Sequence, residues 1–367
     1  MLRPSGPREW TGTLAPFVPQ YELYVTFLRN ADGSLGGFIR DPIGDFGTMA
    51  PFETVAIDGN TISITSRAHV FHGSVDATAN SLQLGIGTGP SLHFHRLDPN
   101  VPNGYYPINP GEDPKFTRPP AEGDGWKTGA PANVRMDDAR LQQLAMYLAA
   151  QTPTSPRTPY IQSVLVARDN RLVTEHYYYG FDRTRPHDVR SAGKSLDAAL
   201  FGAAMRIAPS LTVDSLAYRW LPYSGFAHPD KRKSQISVGD FFDMTSGLDC
   251  DDDNDASSGN EDVLQSQTAQ PDWYRYMMDL SMVSDPGSQR AVYCSGGINM
   301  IGAFVIGATH RWTPEFFAYA LARPLQFGIY HLQLTPTKEM YLGGGSYFLP
   351  RDFLKLGQLF LDGGVWS

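Results

Sequence analysis

The chain is poor in cysteine, in long apolar runs and in positive charge. Cysteine occurs twice, at Cys250 and Cys294. Two cysteines make no disulfide framework and leave the redox compartment undecided. No apolar run approaches the roughly 20 residues that span a bilayer, so no transmembrane segment is expected. The N-terminal stretch MLRPSGPREWTGTLAP has no apolar segment of signal-peptide type. The expectation is a cytoplasmic protein as written, or a periplasmic or secreted one if a leader precedes it. A formal net charge of −8 makes phosphate backbones poor partners, so nucleic acid is not expected. H-E-x-x-H and paired C-x-x-C are both missing, so a metallohydrolase is unsupported and no cofactor or metal is expected. G-x-S-x-G is missing too, which argues against an α/β-hydrolase.

What is present is globular: 41% hydrophobic and 19% charged over 367 residues, enough for two domains or more. Residues 1–97 read as an all-β domain of short alternating strands. YELYVTFL shows period two, and FETVAI and TISITS flank the turn Asp58-Gly59-Asn60. A lipocalin-like barrel or meander is expected. His93 and His95 share one face of a strand, a possible metal pair that reads better as barrel packing or a surface pair. Residues 98–134 form a Pro/Gly-rich linker with aromatics Tyr105, Tyr106, Phe116 and Trp126. Regular structure resumes over 135–367, first with the helical spacing of MDDARLQQLAMYLAA. IQSVLVAR and RLVTEHYYYG follow as a hairpin around Asp169-Asn170, and then comes a mostly helical region.

The sequence RPHDVRSAGKSLDAALFGAAM, residues 185–205, admits two chemistries. Gly193-Lys194-Ser195 resembles the end of a phosphate-binding loop, but Asp188 stands where that loop needs its first glycine. A carboxylate there repels phosphate. The alternative is Ser191-x-x-Lys194 at the start of a helix. At spacing i, i+3 the two side chains share a face. The free N–H groups and positive end of a first helical turn favour a developing anion at Ser191. Lys194 against an apolar helix can serve as its base. At about 4 Å and an effective dielectric near 20, a charged lysine stabilises an adjacent anion by roughly 4 kcal/mol before desolvation.

Further motifs follow in order: Met244-Thr245-Ser246-Gly247-Leu248, then Tyr293-Cys294-Ser295, then GGGSYFLPRDFLKLGQLFLDGGVW. Together with Ser-x-x-Lys they resemble the serine β-lactamase and penicillin-binding-protein superfamily, above all class C β-lactamases and related esterases, over residues 155–367. The resemblance implies an α+β fold with a β-lactamase/transpeptidase-like domain. It also implies a serine hydrolase that acts through an acyl-enzyme on an ester, amide or lactam carbonyl of a small molecule. Ser191 would be the acylated nucleophile and Lys194 its activator. Tyr293 would share base duty and protonate the leaving group. Ser295 stands where many relatives have Asn and would bind a substrate carbonyl or Lys194. The Ser191 N–H would form half of an oxyanion hole. Ser246 would be structural. The serine at 295 and the added β domain favour an esterase or peptidase-like relative over a true β-lactamase. A catalytically silent binding protein is the alternative from another class.

The superfamily's third motif, a Lys-Thr-Gly or His-x-Gly triplet, is missing after Tyr293. Lys127-Thr128-Gly129 precedes Ser191, among glycines and prolines that predict no core strand. The expectation is a chain truncated at its C-terminus. Its 161–178 hairpin would then carry an open edge in place of the remaining strands of a five-stranded sheet. Asp251, Asp253 and Asp255 match positions of a calcium loop, but Ala256 and Asp262 break the pattern, so a solvated acidic loop is expected. Asp197, inside the apolar helix, receives no role.

Overall fold

The computed structural model is a mixed α+β chain. It describes residues 3–6, 9–11, 22–41, 50–66, 69–85, 91–109, 111–112, 114, 118–152, 155, 160–223, 225–288 and 290–366. Two compact units divide it. The first comprises Met1–Asp113, Leu148–Ile161 and Tyr178–Gly180; the second comprises Pro114–Tyr147, Gln162–Tyr177 and Phe181–Ser367.

In the first unit β1 (Arg3–Gly6) pairs with β2 (Glu9–Thr11). A seven-stranded antiparallel meander follows: β3 (Tyr24–Arg29), β4 (Leu35–Arg40), β5 (Ala50–Asp58), β6 (Thr61–Ser66), β7 (His69–Asp76), β8 (Ser81–Leu84) and β9 (Leu92–His95). Short turns make sequence neighbours spatial neighbours. Between β5 and β6 the turn is Gly59-Asn60, with Gly59 at φ +57°, the left-handed conformation a two-residue hairpin loop requires. Alternation then sorts the side chains. Ile62 and Ile64 of β6 join Phe52, Val55 and Leu84 in the core. His93 and His95 both point to the exposed face of β9. Among the described residues β3 and β9 each pair with one neighbour, so the sheet is a meander rather than a closed barrel. A cavity of about 640 Å³ is lined by residues of both edge strands, Val25, Phe27 and Phe94 among them. Phe116 lies outside the described residues.

The second unit opens with β10 (Lys127–Thr128) and α1 (Asp138–Ala149), whose last residues belong to the first unit. The hairpin β11 (Ser163–Arg168) and β12 (Arg171–Tyr177) turns at Asp169 and Asn170, at φ +51° and +55°. Two successive positive φ values give the turn the twist an antiparallel pair needs. The sheet order is β10-β12-β11, and among the described strands the outer edge of β11 has no partner. Lys127-Thr128 is a strand after all. It pairs in parallel with Arg171-Leu172, and the Gly129 N–H adds a bond to the Leu172 carbonyl at 3.1 Å. Two residues suffice because β12 offers a free edge, a tertiary fact that local glycine and proline content does not carry. The triplet lies across β12 from β11.

Helices α2 (Lys194–Ile207), α3 (Val238–Phe242), α4 (Glu261–Ser266), α5 (Trp273–Asp279), α6 (Ser295–Thr309) and α7 (Thr313–Phe317) build the core. Every residue of α6 from Ser295 to Val305 is buried, as a helix apolar on all sides must be. Leu196, Leu200, Phe201 and Ala204 of α2 belong to the same cluster. Gly302 lets the helix approach Tyr274: a Cβ there would lie 2.3 Å from the phenol oxygen. A second small sheet joins β13 (His187–Asp188), β14 (Tyr330–His331) and β15 (Tyr347–Phe348) in the order β13-β15-β14. Last comes α8 (Pro350–Leu361), with proline in its first turn, where no N–H is missed. Among the described residues no helix is long and apolar enough to cross a membrane.

Candidate active site

Ser191 lies one turn earlier than helix α2 proper. The segment Arg190–Gly193 is a 3-10 turn, and α2 begins at Lys194. Arg190 has φ +46°, and its N–H donates to Asp188 Oδ1 at 2.9 Å. A left-handed arginine is strained, and such strain gathers at functional sites. It turns the chain sharply from β13 and leaves Ser191 exposed. The Ser191 N–H makes no hydrogen bond among the described residues.

Lys194 reaches back one turn. Its Nζ donates to Ser191 Oγ at 3.1 Å, to Ser295 Oγ at 2.9 Å and to the Gly343 carbonyl at 2.5 Å. An ammonium has three hydrogens and here it has three acceptors. If the amine is neutral, its two hydrogens can stay on Ser295 and Gly343 while its lone pair faces Ser191. Either protonation state is therefore held in place. Ser295 is fully buried at the first position of α6. The Tyr293 ring centroid lies 4.9 Å from Lys194 Nζ, a cation–π distance. Tyr293 is 41% exposed, and its hydroxyl makes no hydrogen bond among the described residues. The four predicted residues thus converge, three by hydrogen bonds and Tyr293 through its ring.

Gly343 escaped the sequence reading, because a carbonyl acceptor has no residue signature. Beside it Gly344 has φ +131°, and a Cβ there would lie 3.1 Å from the Arg190 carbonyl and 3.5 Å from Ser191 N. Only a bare backbone fits against the nucleophile. Cys250 and Cys294 form a disulfide with Cα atoms 5.5 Å apart, a pairing across 44 residues that spacing did not reveal. Ser246 is buried and its Oγ accepts the Leu248 N–H at 3.4 Å, a turn contact. Among the described residues no group of three or more His, Cys, Asp or Glu side chains is placed to hold a metal ion. In the acidic loop Asp251 Oδ1 accepts from the Asp253 N–H at 2.9 Å, a local turn.

Two buried titratable groups flank the site. Asp197, three residues beyond Lys194, is 1% exposed and its Oδ2 has no hydrogen-bond partner. Burial pushes its carboxyl well above the usual range, opposed by the Lys194 charge. His187 on β13 is buried beside the Phe181 ring at 4.4 Å. Burial and the Arg185 charge lower it from 6.5 to about 4. The unfolded chain therefore binds this proton before the folded chain does. Stability is full above pH 6.5 and falls as pH drops from 6.5 to about 4, by up to about 3 kcal/mol. Melting temperature measured across that window should fall, and His187→Gln should flatten the dependence.

A family model described as Beta-lactamase matches residues 161–348, half of the chain. The chain belongs to the β-lactamase family. Solved structures similar to this chain include a candidate β-lactamase from Bacteroides dorei DSM 17855. The two are 20% identical, with TM-score 0.48, over 62% of this chain and 64% of that one. A β-lactamase/D-alanine carboxypeptidase from Yersinia pestis, complexed with citrate, is 14% identical with TM-score 0.43, over 56% and 64%. FmtA from Staphylococcus aureus is 13% identical with TM-score 0.47, over 69% and 70%. The chain spans less than two thirds of the length of the first two. No curated protein matches it.

Proposed function

We propose that this protein is a serine hydrolase that works through an acyl-enzyme on a small ester or amide, with an N-terminal β domain (1–97), a linker (98–134) and a hydrolase domain (135–367). The observation that carries the reading is Lys194 Nζ, fixed by Ser295 and Gly343 while it touches Ser191 Oγ. Ser191 Oγ attacks the carbonyl carbon, and its proton passes to Lys194 or to Tyr293. The oxyanion meets the free Ser191 N–H. The leaving group departs with a proton from Tyr293, and water then releases the acid. The Gly343–Gly345 turn brings backbone against Ser191 without side-chain crowding.

Ser295 has its hydroxyl committed to Lys194 and lacks the two-ended amide that can grip a lactam carbonyl. We therefore expect kcat/KM for p-nitrophenyl butyrate to exceed that for a chromogenic cephalosporin by about tenfold or more. A lactam rate above the ester rate contradicts the esterase reading. The second reading, a silent binding protein, draws support from the 640 Å³ cavity of the β unit. Turnover of neither substrate by folded protein favours it.

A further inference from the structure

Tyr293 poses a positional problem. Its hydroxyl has no hydrogen bond among the described residues, so its ring is placed by its backbone and by Lys194. The backbone anchors are few. The Val292 N–H donates to the Met244 carbonyl at 3.0 Å, and the Tyr293 carbonyl accepts the Asp252 N–H at 2.9 Å. Asp252 then acts a second time. Its Oδ2 accepts the Ser295 N–H at 2.7 Å, while its Oδ1 accepts the Glu261 N–H at 3.0 Å. Between these two links, Cys294 is tied to Cys250, two residues before Asp252. Residues 293–295 are thus each pinned to the 250–252 segment, Tyr293 and Ser295 to Asp252 and Cys294 to Cys250.

The far end of this clamp is itself held. Asn260 caps α4 through the Asp262 N–H at 2.9 Å and donates to the Asp252 carbonyl at 3.1 Å. Tyr341 donates to Glu261 Oε1 at 2.6 Å, two residues before Gly343. The clamp therefore links the segments that carry Tyr293, Ser295 and the carbonyl on Lys194. A carboxylate at the first N–H of α6 also complements the positive end of that helix.

We propose that Asp252 is a positioning residue for the hydrolysis above: its carboxylate fixes the Tyr293–Ser295 segment so that the phenol and the Ser295 hydroxyl meet Lys194 in register. The acidic loop serves the site through this one carboxylate. The inference rests on the proposed function. A serine or alanine at 252 leaves the Ser295 N–H unpaired, and the segment can slide by the ångström that costs catalysis heavily.

The test uses the full chain with its disulfide intact, verified by mass. Fluorophosphonate inactivation rate and p-nitrophenyl butyrate kinetics are compared for wild type, Asp252→Ala and Asp252→Asn. The expected result for Asp252→Ala is a fall in kcat and in inactivation rate of about 10- to 100-fold with KM within about twofold. Asp252→Asn keeps one acceptor oxygen and should recover most of the loss; if the alanine variant does not fold, Asp252→Ser takes its place with the same expected fall in kcat. A purely structural role would lower melting temperature without this split and without rescue. Wild type that labels while both variants label equally fast overturns the inference alone. Wild type that does not label overturns the proposed function, and the inference with it.

Discussion

Lys194→Ala should lower kcat/KM for ester hydrolysis by a factor on the order of 10³, within the range removed with a general acid–base group. The reason lies in the geometry. Lys194 Nζ contacts the Ser191 oxygen, the Ser295 oxygen and the Gly343 carbonyl together. No other cationic group donates to Ser191 Oγ among the described residues. On the proposed mechanism, truncation would remove one of the two candidate proton acceptors and the charge beside the alkoxide at once. Lys194→Arg should not rescue, because a guanidinium stays protonated and is too broad for the same three acceptors. The check is steady-state ester hydrolysis on protein whose melting temperature is unchanged. A loss of less than about tenfold would assign the proton to another group.

Arg351→Ala should destabilise the second unit strongly, by roughly 3–5 kcal/mol. Arg351 and Glu175 have side chains 5% and 3% exposed. The guanidinium donates to Glu175 through Nε at 2.8 Å and through Nη2, to Asp124 at 3.1 Å and to the Pro120 carbonyl at 3.0 Å. This one side chain ties α8 to β12 and to the segment before β10. Alanine would leave the buried Glu175 carboxylate only the longer contact to the part-exposed Arg183, 3.7 Å away, and removing one partner is the costly way to break a buried pair. Thermal unfolding should shift down by about 10 °C. The double variant Arg351→Met/Glu175→Met should recover much of the loss, since a packed apolar pair can replace a buried ion pair. Equal losses in single and double variants would show that the bonds to Asp124 and Pro120 dominate.

The sequence showed what short-range chemistry determines. Gly59 and the pair Asp169-Asn170 marked turns because few residues tolerate positive φ. Ser191 and Lys194 were legible because three residues on a helical path bring them to one face. Ser295 was legible only through the resemblance, since a buried serine at a helix start has many other uses. The misses share a cause. Strand β10, the Cys250–Cys294 bridge and the Gly343 carbonyl each depend on a partner far along the chain. In DDDNDASSGNED the eye goes to the alternating Asp251, Asp253 and Asp255, yet the carboxylate that reaches the site is Asp252, out of that register. The 3-10 turn at Arg190–Gly193 also lay beyond propensity, because an arginine at positive φ is not what its residue type favours.

The most direct test of the account is intact mass after exposure to a fluorophosphonate probe, with wild type and Ser191→Ala run side by side. The account predicts a single adduct on wild type, mapped to Ser191, and none on the variant. Folded wild-type protein that takes no adduct, or an adduct that persists in Ser191→Ala, would contradict it.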